Sequence, residues 1–166
     1  MATVLRAPER LSAAQRKAAT TLYLAGPFDE GERTWRDEVI EAVDDLDVVI
    51  LDPRNDRWAE LEMGSAGRRG AYDWQCDAGF GADVVVVWVP AGSHAPTALL
   101  LLGYLGAKRS SAAKGSSVVV GGDGCDGLVR LFAQNQRLFP VDGDLGEVTR
   151  IARIQVGKAI AARVGR

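Results

Sequence analysis

The chain has 166 residues, of which 47% are apolar and 25% charged, and its formal net charge is −2. This length fits one domain with a substantial core, and the interspersed charges argue against a surface for nucleic acid or a membrane. The longest apolar runs, around 84–90 and 98–102, are too short to span a bilayer, and the lack of an apolar signal core at the N-terminus predicts a cytoplasmic location.

The first elements are an arm, a strand and a helix. Residues 1–19 are basic and Ala-rich without a clear apolar face, which predicts a mobile arm or a loosely docked helix. The segment TTLYLAGPF (20–28) predicts a buried strand that ends at a Gly-Pro pair. In the helix that follows, Thr34 can act as the N-cap with Asp37 three residues later. Its apolar residues recur on one face, namely Trp35, Val39, Val43 and Leu46.

Strands and helices then alternate along the chain. LDVVILDP (46–53) predicts the second strand, and a polar connection with three glycines covers 54–72. A short helix is expected over about 71–80. ADVVVVWVP (82–90) is typical of a strand buried on both faces of a parallel sheet, and the leucine-rich segment APTALLLLGYLGA (95–107) predicts the next helix.

The last third of the chain continues this alternation. SSVVVGGDG (116–124) predicts a fourth strand, 127–135 a short helix and RLFPV (137–141) a small strand. The final helix begins near Asp144, with Glu147 three residues later. Its predicted inner face is apolar and contains Val148, Ile151, Ala152, Ala159 and Ile160. Together the elements predict a doubly wound α/β sheet of four or five parallel strands, as a single domain over 20–166 preceded by the arm.

Several common chemistries are disfavoured. Cys76 and Cys125 make neither a disulfide framework nor a metal cluster, so no metal site and no cofactor are expected. A catalytic triad would depend entirely on His94, for which an exposed loop position is the better interpretation. Glycine-rich phosphate motifs are missing after the first strand. The segment VGGDGCDG (120–127) is interpreted as a flexible loop between a strand and a helix, with a phosphate cradle as the alternative.

A set of separated motifs in order carries a resemblance. They are LYLAGPF, WRDEVIEAV, DPRNDRW, YDWQ, ADVVVVWVP and LLLLG, spread over residues 22–122. In this order they resemble the nucleoside 2-deoxyribosyltransferase-like family. The resemblance implies a flavodoxin-like sheet with a nucleoside-sized pocket at the strand ends. It also implies a glutamate nucleophile that attacks the anomeric carbon of the sugar, and a second carboxylate that assists the departing base.

The family's pattern places specific residues at that pocket. It assigns ligand binding to the turn at Gly26 and Pro27, to Arg54 after Pro53, and to the strand end that contains Trp88 and Pro90. Two positions depart from the pattern. The nucleophile, two positions before Gly103, is Leu101 in this chain, and the glutamate of the family's Trp-Glu pair is Gln75.

These departures remove the covalent mechanism. Leucine cannot form a glycosyl-enzyme intermediate, and glutamine can neither ionise nor act as a carboxylic acid. The leucine helix is therefore either a former site that is now apolar or a core helix in which Gly103 and Gly106 allow close packing.

Other acidic groups offer an alternative chemistry. A pair such as Asp29 and Asp73 would support inverting, water-mediated cleavage at a separation of roughly 6.5–9.5 Å. We favour the interpretation that Asp29 and Glu30 are loop acids and that Asp77 lies on a solvated helix face. Asp83, at the start of its strand, is expected to be structural. Arg54 and Arg57 either hold a nucleotide phosphate or solvate a loop.

Three hypotheses follow, in this order. The first is a catalytically compromised nucleoside- or nucleotide-binding protein, acting as a homo-oligomer or as a subunit beside an active homologue. The second is an N-glycosidase or deoxyribosyltransferase that works through other carboxylates. The third is a structural partner without a small ligand. Ligand binding separates the first from the third, and release of a base separates the second from both.

Overall fold

Six parallel strands form one open sheet in the computed structural model, which describes residues 1–27, 34–55, 57, 65–90, 96–110, 117–122, 127–136, 138–141 and 144–165. In chain order the strands are β1 (Thr3–Arg6), β2 (Thr21–Ala25), β3 (Val49–Asp52), β4 (Val84–Trp88), β5 (Ser117–Gly121) and β6 (Phe139–Pro140). Their order across the sheet is β1-β3-β2-β4-β5-β6. The predicted parallel α/β fold of the flavodoxin or Rossmann type is confirmed, with one strand more than the upper estimate.

Helices cover both faces of this sheet. They are α1 (Ala13–Ala18), α2 (Trp35–Ala42), α3 (Ala66–Gly81), α4 (Pro96–Ser110), α5 (Gly127–Asn135) and α6 (Leu145–Val164). On one face, α3, α4 and α5 bury the first core; on the other, α2 and α6 bury the second core. None of the helices in the described ranges combines the length and apolarity needed to cross a bilayer.

The central strands supply side chains to both cores in turn. In β4, Val85 and Val87 enter the first core, whereas Val84, Val86 and Trp88 enter the second. Every residue of β2 and β4 is buried, because alternate residues of a strand point to opposite faces and both faces are covered by helices. The prediction that 82–90 contains a strand buried on both faces is confirmed by β4.

The N-terminal segment contributes more regular structure than the sequence predicts. β1 pairs with β3 at the edge of the sheet, and α1 begins with a capping box in which Ser12 and Gln15 bond reciprocally. The segment between them is held by one side chain that follows β3 and one on α3. Asn55 donates to the Ala7 carbonyl at 2.8 Å, and Trp74 Nε1 donates to the Glu9 carbonyl at 2.8 Å.

Asp83 joins three elements at the amino ends of the strands. Its carboxylate accepts hydrogen bonds from the backbone N and Oγ1 of Thr21, at 2.9 and 3.0 Å. Arg163, in the last turn of α6, donates to the same carboxylate at 2.9 Å. The structural role expected for Asp83 is confirmed, since it ties the start of β2 to the C-terminal helix.

The starts of α6 and α3 can be compared with the starts that the sequence predicts. α6 begins after Asp144, whose side chain accepts from the backbone N of Glu147 at 3.1 Å, as predicted. α3 begins at Ala66, five residues earlier than expected, after Ser65 accepts from the backbone N of Arg68. The polar, glycine-containing composition gave no sign of this first turn, because serine and arginine are equally common in loops.

Glycines set the distances between helices at two points. A Cβ on Gly79 would lie 2.7 Å from Leu101 Cδ2, and one on Gly106 would lie 2.8 Å from Phe132 Cζ. Close packing at Gly106 is therefore confirmed. The same expectation for Gly103 is wrong, since a Cβ there would meet no atom of the described residues within 4 Å.

We predict that Gly79→Ala destabilises the fold by about 1–3 kcal/mol, because the added methyl overlaps the Leu101 side chain in a packed core. Gly70→Ala is the matched control in the same helix, where a Cβ meets nothing within 4 Å. It should stabilise the protein by roughly 0.5–1 kcal/mol through helix propensity. Urea unfolding measures both, and equal effects of the two variants would contradict the tight contact between α3 and α4.

Candidate functional site

The strand order predicts a ligand crevice at the carboxyl ends of β2 and β4. From β2 the chain moves to β3 on one side and later to β4 on the other, and ligands of open α/β sheets bind where the order reverses in this way. Gly26 follows β2 at this point. A Cβ on Gly26 would lie 2.7 Å from the Trp88 carbonyl oxygen and 2.6 Å from Trp35 Cζ2, so only glycine lets the three segments meet.

A buried arginine fixes the turn that follows β2. Arg36, in the first turn of α2, has no exposed surface. Its Nη1 donates to the Pro27 carbonyl at 2.7 Å and its Nη2 to the Gly26 carbonyl at 3.0 Å. Its Nε lies 3.8 Å from Asp52 Oδ1. A buried guanidinium is tolerated only with such partners, so the turn, α2 and the end of β3 are held in one arrangement.

Asp52 continues these contacts at the end of β3. Its fully buried carboxylate accepts from the backbone N of Arg54 at 3.0 Å and from Arg54 Nε at 2.7 Å. The exposed Arg6 of β1 approaches the same carboxylate, with Nε 3.8 Å from Oδ2. Asp52 is thus surrounded by three arginines at the carboxyl edge of the sheet.

Arg54 links Asp52 to the start of α2. Its guanidinium makes a two-pronged contact with Asp37, with Nη1 to Oδ2 at 3.0 Å and Nη2 to Oδ1 at 2.8 Å. Asp37 also accepts from the backbone N and Oγ1 of Thr34, which confirms the predicted pairing at this helix start. We call Arg36, Asp52, Arg54 and Asp37 the strand-end network.

The network shifts the pKa values of Asp37 and Arg54. The hydrogen bond from Arg54 is the main cause that lowers the pKa of Asp37 far below its usual value, and the bonds from Thr34 add to it. Burial lowers the pKa of Arg54, but its bonds to Asp37 and Asp52 outweigh this and raise it. Asp37 therefore stays ionised at neutral pH and is unsuited to protonate a leaving group.

Four of the predicted ligand residues come together at this edge. Gly26 contacts the Trp88 backbone, Pro27 is bonded to Arg36, and Arg54 is joined to Arg36 through Asp52. Pro90 is half-buried, two residues after β4. Because the Arg54 guanidinium is occupied by two carboxylates, its main role in this structure is to position α2 against β3.

The remaining predicted residues lie elsewhere or outside the described ranges. Asp73 is exposed and Gln75 half-buried, both on α3. Asp29 and Glu30, together with His94 and Cys125, lie outside the residues that the structure describes. The carboxylate pair Asp29 and Asp73 stays a prediction.

Leu101 lies in the first core. Its side chain is 6% exposed and packs against Gly79, in the same cluster as Tyr23 and Val87. Trp88 belongs to the second core, on the opposite face of the sheet. These contacts are those of a core helix packed on the sheet, while a ligand contact of Leu101 stays a prediction.

The two glycines at the end of β5, Gly121 and Gly122, are explained by close packing. A Cβ on Gly121 would lie 2.2 Å from Val148 Cγ2, and Gly122 has a φ of 118° with its Cβ position 2.2 Å from the Val89 carbonyl oxygen. Both positions therefore need glycine whether or not a ligand binds. The rest of the proposed phosphate cradle, 123–126, lies outside the described residues.

The sequence did not single out Arg36 or Asp52 as site residues. A weak signal was present in each case. Asp52 ends an apolar strand and stands two residues before Arg54, a spacing that permits the side chain to bond the following backbone. Arg36 follows a core tryptophan at the start of a helix, but nothing in the amino-acid sequence shows that its guanidinium is buried.

Comparison with known proteins supports the resemblance. Residues 19–116 match the family described as nucleoside 2-deoxyribosyltransferase like. The match spans more than half of the chain, from the residues before β2 to the start of β5. A search among curated proteins found no match.

We predict that Asp37→Asn lowers the free energy of unfolding by about 1–3 kcal/mol at neutral pH, because the ion pair with Arg54 is lost. The folded-state pKa of Asp37 lies below its unfolded value of about 3.9. Its contribution is therefore present above that pH and is lost as the pH falls toward the folded value. The gap between wild type and variant should narrow on acidification, as followed by urea unfolding at a series of pH values.

Asp47→Asn is the control for this titration, because Asp47 is exposed and stands outside the strand-end network. Its free energy of unfolding should track that of the wild type at each pH. A constant difference in the free energy of unfolding between wild type and Asp37→Asn, from neutral to acid pH, would contradict the lowered pKa of Asp37.

Proposed function

Because this chain belongs to the nucleoside 2-deoxyribosyltransferase-like family, we propose that it binds a nucleoside or nucleotide without the family's covalent glycosyl transfer. The site is the crevice at the carboxyl ends of β2 and β4. The observation that carries the proposal is Leu101, which stands where the resemblance implies the nucleophilic glutamate and packs its apolar side chain against Gly79. A buried leucine provides no nucleophile for the anomeric carbon.

The acidic residues described at the strand ends support this proposal. Both Asp37 and Asp52 are engaged by Arg54, and Asp37 is held in its ionised form. Cleavage of an N-glycosidic bond needs an acid for the departing base and an anion or an activated water at the sugar. Asp37 and Asp52 serve instead to hold the binding turn.

The same network supports retained binding. Arg36 and Gly26 fix the turn after β2 against Trp88, so the crevice is organised before a ligand arrives. Such preorganisation lowers the entropic cost of binding. In this proposal the protein acts as a sensor or as a non-catalytic subunit beside an active homologue.

We expect saturable binding and no base release when the purified protein is incubated with nucleosides, deoxynucleosides and their 5′-monophosphates. Calorimetry measures the first, and chromatography with and without an acceptor base measures the second. Gly26→Ala should weaken binding at least about tenfold, because its methyl overlaps Trp35 and the Trp88 carbonyl. Gly103→Ala, at a position with open space, should bind like the wild type.

Base release that is lost in Asp29→Asn or Asp73→Asn would show an enzyme with relocated carboxylates and overturn the proposal. Absence of both binding and turnover would favour a structural partner instead. Circular dichroism on each variant separates loss of a site from loss of the fold.

We further predict that Leu101→Glu does not restore base release and lowers the free energy of unfolding by at least about 2 kcal/mol. The reason is that a carboxyl group would enter an apolar core without a hydrogen-bond partner. Leu101→Met is the volume-matched control and should cost less than about 1.5 kcal/mol. A stable Leu101→Glu variant that releases base would show that this position faces the substrate.

A further inference from the structure

Trp35 lies beside Gly26 at the carboxyl edge of the sheet and is almost completely buried. It is the first residue of α2, and 6% of its surface is exposed. The indole edge that faces Gly26 is the one that carries the N–H. A Cβ on Gly26 would lie 2.6 Å from Cζ2 and 3.2 Å from Cε2, the carbon to which Nε1 is bonded. The donor edge of Trp35 therefore lies beside the turn that ends β2.

This donor has no acceptor in the described part of the chain. Trp35 Nε1 is buried and makes no hydrogen bond there. Trp74 behaves differently, since its Nε1 donates to the Glu9 carbonyl at 2.8 Å. Buried tryptophan N–H groups usually have a partner, because an unpaired buried donor is costly. An unpartnered donor at the carboxyl edge of the sheet, where the ligands of such folds bind, therefore points to an acceptor supplied by a ligand.

The ring is held in this orientation by its neighbours. The Arg36 guanidinium carbon lies 4.5 Å from the centroid of the Trp35 ring, and the guanidinium is fixed by the carbonyls of Gly26 and Pro27. All of these contacts come from the turn after β2 and the start of α2. Trp35 thus presents a preoriented donor rather than a side chain free to find another partner.

We propose that Trp35 Nε1 is the hydrogen-bond donor that positions the bound nucleoside or nucleotide, through an oxygen or ring-nitrogen acceptor on its base or sugar. This inference rests on the proposed function and adds a specific recognition contact to it. Trp35 is a binding residue that selects ligands with an acceptor at this point. A ligand without that acceptor leaves the buried N–H unpaired and binds more weakly.

The test uses the indole N–H signals of ¹⁵N-labelled wild-type protein, which contains four tryptophans. Nucleosides, deoxynucleosides, their 5′-monophosphates and the free bases are titrated in turn. The Trp35 signal should move downfield on saturation, whereas the Trp74 signal, already bonded to Glu9, should stay in place. A shift with free bases assigns the acceptor to the base, and a shift only with nucleosides or nucleotides assigns it to the sugar.

Trp35→Phe should lower the affinity about tenfold, the equivalent of one hydrogen bond. Trp74→Phe is the control, because its indole lies in the first core and donates to the N-terminal segment; its affinity should match that of the wild type. If Trp35→Phe fails to fold, the wild-type titration decides alone.

The outcomes separate the inference from the proposed function. Ligand binding with an unmoved Trp35 signal, or an unchanged affinity of folded Trp35→Phe, overturns the inference and leaves the proposed function standing. If calorimetry detects no binding of any of these ligands, the proposed function fails and the inference fails with it.

Discussion

The pairing of a buried guanidinium with two main-chain carbonyls controls the geometry of the carboxyl edge. Arg36 would be strongly destabilising without the carbonyls of Gly26 and Pro27 and the nearby carboxylate of Asp52. These partners belong to two segments, the turn after β2 and the end of β3. The arginine therefore makes the turn after β2, the start of α2 and the end of β3 depend on one another, and Arg54 extends this dependence to Asp37.

The two faces of the sheet hold different candidate site residues. The strand-end turn, Trp35 and Trp88 are packed with the second core, whereas Leu101 is packed with the first core against Gly79. Leu101 fits in the first core because α3 approaches α4 at Gly79, and its contacts are separate from those around Arg36.

Much of the fold could be predicted from local patterns. Continuous valines identify β4 because a strand covered on both faces needs apolar residues at every position. The starts of α2 and α6 are visible because Thr34, Asp37 and Asp144 form bonds within three residues. β1 was missed because an edge strand is stabilised mainly by main-chain pairing with β3, and its side chains are largely exposed.

The site was less predictable, because its key contacts join distant residues. The resemblance placed Gly26, Pro27 and Trp88 at the strand ends, but the burial of Arg36 depends on three segments that meet only in the folded chain. Gly103 and Gly106 show the same limit of prediction from local sequence. They are three residues apart in one helix, yet only the second faces a neighbouring helix.

The edge strand β1 also affects how the protein resists aggregation. Its pairing covers hydrogen-bonding groups of β3, whose residues include the buried Ile50 and Leu51. A chain that began at the first obvious strand, near Thr20, would present that apolar edge as a template for strands of other molecules. The four residues of β1, Thr3–Arg6, thus protect the edge of β3 from pairing with strands of other molecules.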